Sequence, residues 1–221
     1  MPAMSNPTEV TPWHSFALRK AAPQAERIVG HFGGHPRGIR AHQWPRCRVC
    51  GSPMCHMGQI EAGPWLDLNG FARMSLFICH ATGGRCEDWD GFKGANRVLL
   101  HRVRDDSLYD GPPTVRVYRR IRLTVDQARD ERTVIAAAKS AGRSRRDAYD
   151  EVRIDKLGGG AVWWHRDDTP QRKDLGGPMR LIAQLTTNIV TFDITRNGVA
   201  YVFMDPSDPS EEAAVLMWQA E

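Results

Sequence analysis

The stretch Gly33–Ile60, GGHPRGIRAHQWPRCRVCGSPMCHMGQI, is matched 125 residues later by Gly158–Leu185, GGGAVWWHRDDTPQRKDLGGPMRLIAQL. The matching positions keep one register and are Gly33-Gly34 with Gly158-Gly159, Pro45 with Pro170, Gly51 with Gly176, Pro53-Met54 with Pro178-Met179, and Gln59-Ile60 with Gln184-Leu185. A repeat at a fixed offset is interpreted before any single motif, because it determines the architecture. We therefore expect two related lobes.

The repeat continues beyond these stretches. After a slip of three residues, Asn69-Gly70 matches Asn197-Gly198, and each copy ends in an apolar strand, at Met74–Ile78 and Tyr201–Met204. Glycine and proline interrupt the sequence between short apolar runs, which is typical of strand-rich folds. With 41% hydrophobic residues the chain can bury a core. We predict a strand-rich α+β fold, in which two pseudo-repeated lobes of mixed or antiparallel sheet form one compact body.

The same pattern divides the chain into an N-terminal arm (1–27), a first repeat (28–100), a connection (101–153) and a second repeat (154–221). We expect Trp13 and Phe16 to hold the arm on the body. The connection contains a predicted strand at 115–123, and Thr124 is the expected N-cap of a helix that ends near Ala141. A short helical turn is predicted at 145–152. Further strands are predicted at 54–61, 71–78, 96–103, 161–165, 179–186, 189–194, 199–204 and 214–219.

Four cysteines carry the strongest chemical signal. Cys47 and Cys50 form a CxxC pair followed by Gly51, and Cys79 and Cys86 flank a glycine-containing loop. Four thiolates with this spacing suit a tetrahedral Zn²⁺ site, and such a site has no open position for a substrate. We therefore predict a structural zinc ion bound by Cys47, Cys50, Cys79 and Cys86.

Other interpretations of the cysteines remain open at this point. Cys79 alone is also consistent with a buried core residue, and the CxxC pair with a redox site, although no thioredoxin-like pattern surrounds it. Cys55 is left over as a small core residue. His56 and His80 are alternative ligands that more often occur as ordinary surface or packed histidines.

Charge and composition limit the classes of partner. The net charge is +4, with a basic cluster at 139–146 and an acidic loop at 205–212. DNA-binding domains usually carry a stronger and more continuous basic surface. No apolar run approaches the roughly 20 residues that span a bilayer, and the N-terminus lacks the pattern of a signal peptide. We expect a cytoplasmic protein with reduced cysteines and no membrane segment.

No catalytic motif is evident in the sequence. The glycine run at 158–160 lacks the Lys-Ser/Thr of a phosphate-binding P-loop. The histidines show no HExxH spacing, and the sequence His165–Asp168 is interpreted as a polar turn. The tryptophans are expected to pack in the core or near the zinc site, and an exposed one would be a candidate binding anchor. These features favour a protein that is not an enzyme.

The repeated positions resemble the YwqG-like family of bacterial proteins. The resemblance is carried by Gly33-Gly34, Trp44-Pro45, Gly51-x-Pro53-Met54 and Gln59-Ile60 in the first repeat, and by Gly158-Gly159, Pro170, Gly176-Gly177-Pro178-Met179, Gln184-Leu185 and Val202-Phe203 in the second. Two positions depart from the family pattern, since Ala161 replaces a proline and Thr169 a tryptophan. The cysteine-containing first repeat is similar to zinc-bearing relatives and to the eukaryotic programmed-cell-death-2 proteins, which bind a ribosomal protein.

The resemblance implies a two-lobed fold without enzymatic activity, and bacterial members that accompany secreted toxins. Our leading hypothesis is an immunity protein that neutralises a cognate toxin by direct binding, with oligomeric state left open. Its acidic loop, Asp205, Asp208, Glu211 and Glu212, is the expected partner surface. The alternative is a chaperone-like escort of a ribosomal or other basic protein. A zinc enzyme, or a nucleic-acid binder that uses Arg116, Arg120, Arg122 and 143–146, is the third hypothesis.

Overall fold

The computed structural model describes residues 14–81, 85–174, 176–186, 189 and 198–220, together with the backbone but not the side chains of Arg145 and Arg146. Within these residues the fold consists of ten strands, two α-helices and one short 3₁₀ turn. The strands are β1 His14–Lys20, β2 Gly30–Phe32, β3 Cys55–Glu61, β4 Arg73–Ile78, β5 Asn96–His101, β6 Ile121–Asp130, β7 Lys156–Gly158, β8 Arg180–Thr186, β9 Val199–Met204 and β10 Ala214–Gln219. The helices are α1 Glu131–Ser140 and α2 Arg145–Asp150.

All ten strands belong to one sheet in the order β10-β9-β8-β7-β1-β6-β2-β3-β4-β5, and the described pairs are antiparallel. The sheet bends until its two end strands approach each other. The backbone N–H of Leu100 on β5 donates to the carbonyl of Glu211, just before β10, at 3.1 Å. The predicted strand-rich, compact fold is therefore confirmed, with a nearly closed antiparallel sheet.

The two lobes exchange their leading strands. The first lobe is formed by β2–β5 and receives β6, while the second lobe is formed by β7–β10 and receives β1. Phe16 on β1 is paired with Leu157 on β7, and Ile121 on β6 is paired with Phe32 on β2. Since β1 and β6 also pair with each other, they join the lobes into one sheet.

The internal repeat is visible in detailed geometry. Strands β3 and β8 carry the same irregularity at equivalent places, between His56 and Gly58 in one and between Leu181 and Ala183 in the other. The inserted residues at these bulges keep the 125-residue offset predicted from the sequence. The offset then becomes 126 for β4 and β9, as their bounds show. The predicted three-residue slip involves Asn197, which lies outside the described residues.

A buried glutamine performs the same task in each lobe. Gln59 accepts the backbone N–H of Arg37 at 2.8 Å, and Gln184 accepts that of Val162 at 2.9 Å. Buried amide side chains require such partners, because an unsatisfied polar group costs about 1–3 kcal/mol. The Gln-[Ile/Leu] motif thus anchors the loop that follows the glycines in both lobes.

The helix predicted after Thr124 begins later than expected. Residues 124–130 continue β6, and Asp130 is the N-cap of α1, where its side chain accepts the N–H of Arg132. Residues 124–130 pair with β1 instead, so strand pairing overrides local propensity. The C-terminus at Ala141 and the short second helix agree with the prediction.

Other boundary predictions also need correction. The arm assigned to residues 1–27 includes β1, a central strand, while residues 1–13 and hence Trp13 lie outside the described residues. No strand forms at 161–165, where the chain is an irregular loop over β8 and β9. The predicted strand at 189–194 lies almost wholly outside the described residues.

Buried side chains form a main core inside the bent sheet, with contributions from both lobes such as Phe32, Met57, Leu157 and Val202. Each lobe also has a smaller cluster on the other face of its strands. The first contains Trp44, Phe77 and three of the cysteines, and the second contains Tyr201 and Phe203. No helix among the described residues is long and apolar enough to cross a membrane.

Candidate metal centre

The four predicted cysteines converge on one point of the first lobe. The Sγ atoms of Cys47, Cys50, Cys79 and Cys86 all lie within 4.8 Å of one another. The Cys50–Cys79 and Cys79–Cys86 sulfur pairs are 3.5 and 3.9 Å apart. Two thiolates on a tetrahedral Zn²⁺ at 2.3 Å are separated by about 3.8 Å. The cluster therefore has the donor set and the dimensions of a possible metal site.

A tight turn brings the first two cysteines together. The N–H of Gly51 donates to the carbonyl of Cys47 at 2.9 Å, and the N–H of Cys47 donates to the carbonyl of Ser52 at 2.9 Å. Gly51 has φ of 73°, a left-handed conformation that glycine adopts without steric cost. The Arg46 guanidinium also donates to the carbonyl of Gly51. These bonds fix the CxxC turn independently of any ion.

The four thiols lie in unlike surroundings. Cys47, Cys79 and Cys86 are buried, whereas Cys50 is exposed. Hydrogen bonds from the side chain and backbone of Ser52 lower the pKa of Cys50 to about 6. Burial raises the pKa of Cys79 well above its usual range. A bound cation would favour the deprotonated form of all four, since the thiolate is the metal ligand.

Aromatic packing supports the buried side of the cluster. Trp44 meets the ring of Phe77 edge-on at 5.5 Å between centroids, and its indole N–H donates to the carbonyl of Met54 at 3.0 Å. Both rings belong to the same buried group as Cys47, Cys79 and Cys86. The Trp-Pro motif therefore packs beneath the thiols.

The alternative ligands are placed elsewhere. Cys55 is buried in the main core and is not part of the cluster. Nδ1 of His56 lies 2.9 Å from the carbonyl of Gly34, and burial lowers the pKa of its imidazole to about 4. His80 contacts the Tyr118 hydroxyl through its own Nδ1. Among the described residues, the four cysteines are the one group of potential ligands placed closely enough to hold a metal ion.

Cys86, the fourth cysteine, lies at the start of a loop that contacts both lobes. We call residues 85–94, RCEDWDGFKG, the aromatic loop. The side chain of Asn96 donates to the carbonyls of Asp88 and Asp90, at 2.8 and 3.3 Å. The N–H of Arg48 in the CxxC turn donates to the carbonyl of Gly94 at 2.9 Å. Consequently the aromatic loop is attached to the cysteine cluster at its beginning and its end.

The middle of the aromatic loop lies against the last strand of the second lobe. The N–H of Trp218 on β10 donates to the carbonyl of Trp89 at 3.1 Å. A Cβ added at Gly91 would lie 3.0 Å from the carbonyl oxygen of Leu216, so the backbone approaches β10 closely there. The aromatic loop thereby covers the free edge of β10.

Two large side chains of the aromatic loop face solvent. Trp89 is 47% exposed and Phe92 is 67% exposed, although the backbone around them is hydrogen bonded. Trp89 borders a cleft of about 430 Å³ that Trp218 also lines, and Phe92 borders one of about 220 Å³. An exposed tryptophan is a candidate anchor predicted from the sequence. Phe92 carries no such signal, since nothing in a Gly-Phe-Lys sequence distinguishes a buried ring from an exposed one.

The acidic loop is largely used inside the protein. Asp205 is 2% exposed, and its carboxylate accepts the N–H of Lys173 and both the N–H and hydroxyl of Ser207. Asp208 pairs with the Lys173 ammonium. These two acids therefore anchor the loop after β9 and are not presented as a free surface.

The remaining two acids lie at the surface. Glu212 pairs with Arg48 and Arg97 of the first lobe, so it links β10 to the CxxC turn. Glu211 is exposed, and its backbone carbonyl accepts the N–H of Leu100. Of the four predicted partner-binding residues, Glu211 is the one whose side chain forms neither a hydrogen bond nor an ion pair within the described residues.

The basic positions whose side chains the structure describes lie in two separate parts of the chain. The guanidinium of Arg116 stacks on the ring of Tyr118 at 4.9 Å, and Arg122 donates to the carbonyl of Pro23. Arg120 is exposed and lies near Nδ1 of His31. Arg143 is paired with Glu151. The predicted basic residues are thus divided between the junction of the lobes and the helices.

A scan against protein-family models and a search of curated proteins gave no match to this chain. The YwqG-like assignment therefore stays a prediction based on the repeated sequence positions.

Proposed function

We propose that the four cysteines bind one structural Zn²⁺ ion and that the chain is a non-enzymatic protein which neutralises a secreted bacterial toxin by direct contact. The observation that carries this proposal is the aromatic loop, in which Trp89 and Phe92 are exposed while the loop backbone is fixed. Large aromatic side chains on a rigid backbone are the usual energetic centres of protein interfaces, because they bury much area at little entropic cost.

The zinc ion would hold the beginning of this binding surface. Cys86 is three residues before Trp89, and the CxxC turn is hydrogen bonded to Gly94, two residues after Phe92. A four-thiolate site is coordinatively closed, so its contribution is folding free energy and not activation of water. Loss of the ion would release the loop and weaken partner binding indirectly.

The surface beside the two rings is suited to a protein partner. Each exposed ring borders a cleft, and each cleft contains an ion pair, Arg166–Asp168 beside Trp89 and Arg48–Glu212 beside Phe92. An apolar centre with a polar rim is the usual composition of such interfaces. The toxin as the partner rests on the resemblance of the sequence, as does the proposed cytoplasmic location.

The decisive experiment is co-expression with the product of the neighbouring gene. The parent chain should restore growth and co-purify with that protein, whereas the Trp89→Ala/Phe92→Ala variant should do neither while retaining its zinc. Val103→Ala, at an exposed apolar residue outside the aromatic loop, serves as the matched surface control and should behave like the parent.

Two results would contradict the proposal. One is a parent chain that neither restores growth nor co-purifies with the neighbouring product. The other is full binding by the doubly substituted variant. Recovery of a ribosomal or other basic protein from the same purification would instead favour the escort function, which retains its place as the second candidate.

A further inference from the structure

A cavity of about 720 Å³ lies mainly on the second lobe, and Trp65, Leu66 and Asp67 of the first lobe also line it. Its walls are mainly apolar, and the glycines at 158–160 form one side. The apolar wall includes Phe16, Leu157, Met179, Leu181 and Phe203. We call this cavity the glycine groove. None of the four cysteines lines the glycine groove, so it is separate from the cysteine cluster.

The equivalent place in the first lobe is filled by the protein itself. The chain at 115–120, which leads into β6, passes beside Gly33 and Gly34, the counterparts of Gly158 and Gly159. The N–H of Gly34 donates to the carbonyl of Tyr118 at 2.8 Å. Tyr118 is 8% exposed and belongs to the main core, and Val115 packs against the same core. An extended segment with one aromatic side chain therefore completes the first lobe.

Strand register shows which segment corresponds to 115–120 in the second lobe. Ile121 on β6 pairs with Phe32, and Phe16 on β1 pairs with Leu157, the residue equivalent to Phe32. The glycines confirm this alignment. A Cβ added at Gly33 would meet the carbonyl oxygen of Arg119, and one added at Gly158 would meet that of His14.

The sequence before His14 repeats the chemistry of the segment before Arg119. Tyr118 lies three residues before Ile121, and Trp13 lies three residues before Phe16. Val115 and Val10 each occur three residues further towards the N-terminus. His14 itself lines the glycine groove, so the preceding residues start at its rim.

We propose that the segment directly before His14 occupies the glycine groove, with the Trp13 side chain in the place that Tyr118 takes in the first lobe. By the same equivalence, the N–H of Gly159 donates to the carbonyl of Trp13. The second lobe is completed by the N-terminus of the chain, and the groove is not a site for a free ligand. This proposal is independent of the toxin hypothesis.

Amide hydrogen exchange in the full chain tests the proposed hydrogen bond. Trp13→Ala should release the segment and raise the exchange rate of the Gly159 amide by about tenfold or more, as expected for local opening. Gly160 is an internal control, because its N–H donates to the buried Glu131 carboxylate at 2.8 Å and should keep its protection. Equal exchange of Gly159 in parent and variant would overturn the proposal.

Binding of an apolar fluorescent dye gives a second, independent measurement. The parent and Trp13→Phe should bind little dye, whereas Trp13→Ala should bind several-fold more, because only alanine leaves the groove empty. Adding Met179→Trp to Trp13→Ala, to fill the groove from its wall, should suppress the signal again. Strong dye binding by the parent chain would show that the groove is open to another ligand, and the proposal would then be wrong.

Discussion

Asp205 occupies in the second lobe the position that Cys79 holds in the first. Each residue directly follows the third strand of its lobe, β4 or β9. Each donates its backbone N–H across to the residue before the next strand, from Cys79 to Ala95 and from Asp205 to Ala213, both at 2.8 Å. The same loop junction is therefore held by a thiol cluster in one lobe and by a hydrogen-bonded carboxylate in the other.

The proposed zinc site predicts about one zinc ion per chain by elemental analysis. Cys47→Ser should reduce both the zinc content and the yield of folded protein, because removing one of four ligands weakens a site that contributes directly to folding. Cys55→Ser is the matched control, since Cys55 is buried outside the cluster. It should retain its zinc per folded chain. Parent protein without zinc would contradict the prediction.

The role of the Asp205 carboxylate predicts a loss of stability on substitution that does not depend on a bound metal ion. Asp205→Ala removes the acceptor for Lys173 and Ser207, and should lower the free energy of unfolding by about 2–4 kcal/mol. Glu211→Ala, in the same loop but exposed, should change it by less than about 0.5 kcal/mol. Urea denaturation measures both variants. Equal effects of the two substitutions would argue against an anchoring role for Asp205.

The buried carboxyl of Asp155 predicts a distinct pH dependence. Burial raises its pKa to about 6, although Thr186 donates both its N–H and its hydroxyl to the carboxylate. Since this folded-state pKa lies above the unfolded value, the group favours folding below pH 4, and that contribution is lost as the pH rises through 6.

Asp155→Asn should accordingly be more stable relative to the parent at pH 7.5 than at pH 4. The difference between the two values should be about 2–3 kcal/mol, as two pKa units imply. Urea denaturation of both proteins at each pH gives the comparison, in which contributions from other titrating groups cancel. A pH-independent difference would show that the Asp155 carboxyl titrates normally.

The buried ion pair between Lys156 and Glu131 predicts a large coupling free energy between the two side chains. The two side chains are 0% and 2% exposed, and Lys156 Nζ also donates to the carbonyl of Gly160. Lys156→Met alone leaves a buried carboxylate uncompensated and should cost about 3–5 kcal/mol.

Combining Lys156→Met with Glu131→Gln should recover part of this loss, because glutamine is neutral and still accepts the N–H of Gly160. A double-mutant cycle based on chemical denaturation gives the coupling free energy. Additive effects would mean that the two charges do not stabilise each other.

The sequence predicted the features that depend on local pattern. The apolar strands at 55–61, 73–78, 96–101, 180–186, 199–204 and 214–219 were recognisable as runs bounded by glycine and proline, and the cysteine spacing identified the whole cluster. The repeat correctly indicated two similar lobes. The tryptophans were expected in the core or near the zinc site, and Trp44 packs beneath the thiols.

Features that depend on partners distant in the sequence were not predictable in this way. The strand His14–Lys20 resembles an arm until it is placed between β6 and β7, and 124–130 resembles a helix start until β1 is beside it. Likewise the acidic residues at 205 and 208 appeared available, because their partner Lys173 is more than thirty residues away. Contacts between the lobes, and not local propensity, decide these cases.

The exchange of leading strands has a consequence for how the chain matures during synthesis. Ala17 on β1 lies opposite Lys156 on β7, so the first strand of the described residues is a neighbour of one made late. The first lobe can close as soon as β6 has left the ribosome. The edge of β1 that pairs with β7 has no partner strand until the second lobe emerges. Pairings of such high sequence separation are slow to form. Until β7 is made, one edge of β1 has no partner strand, and an unpaired strand edge favours aggregation.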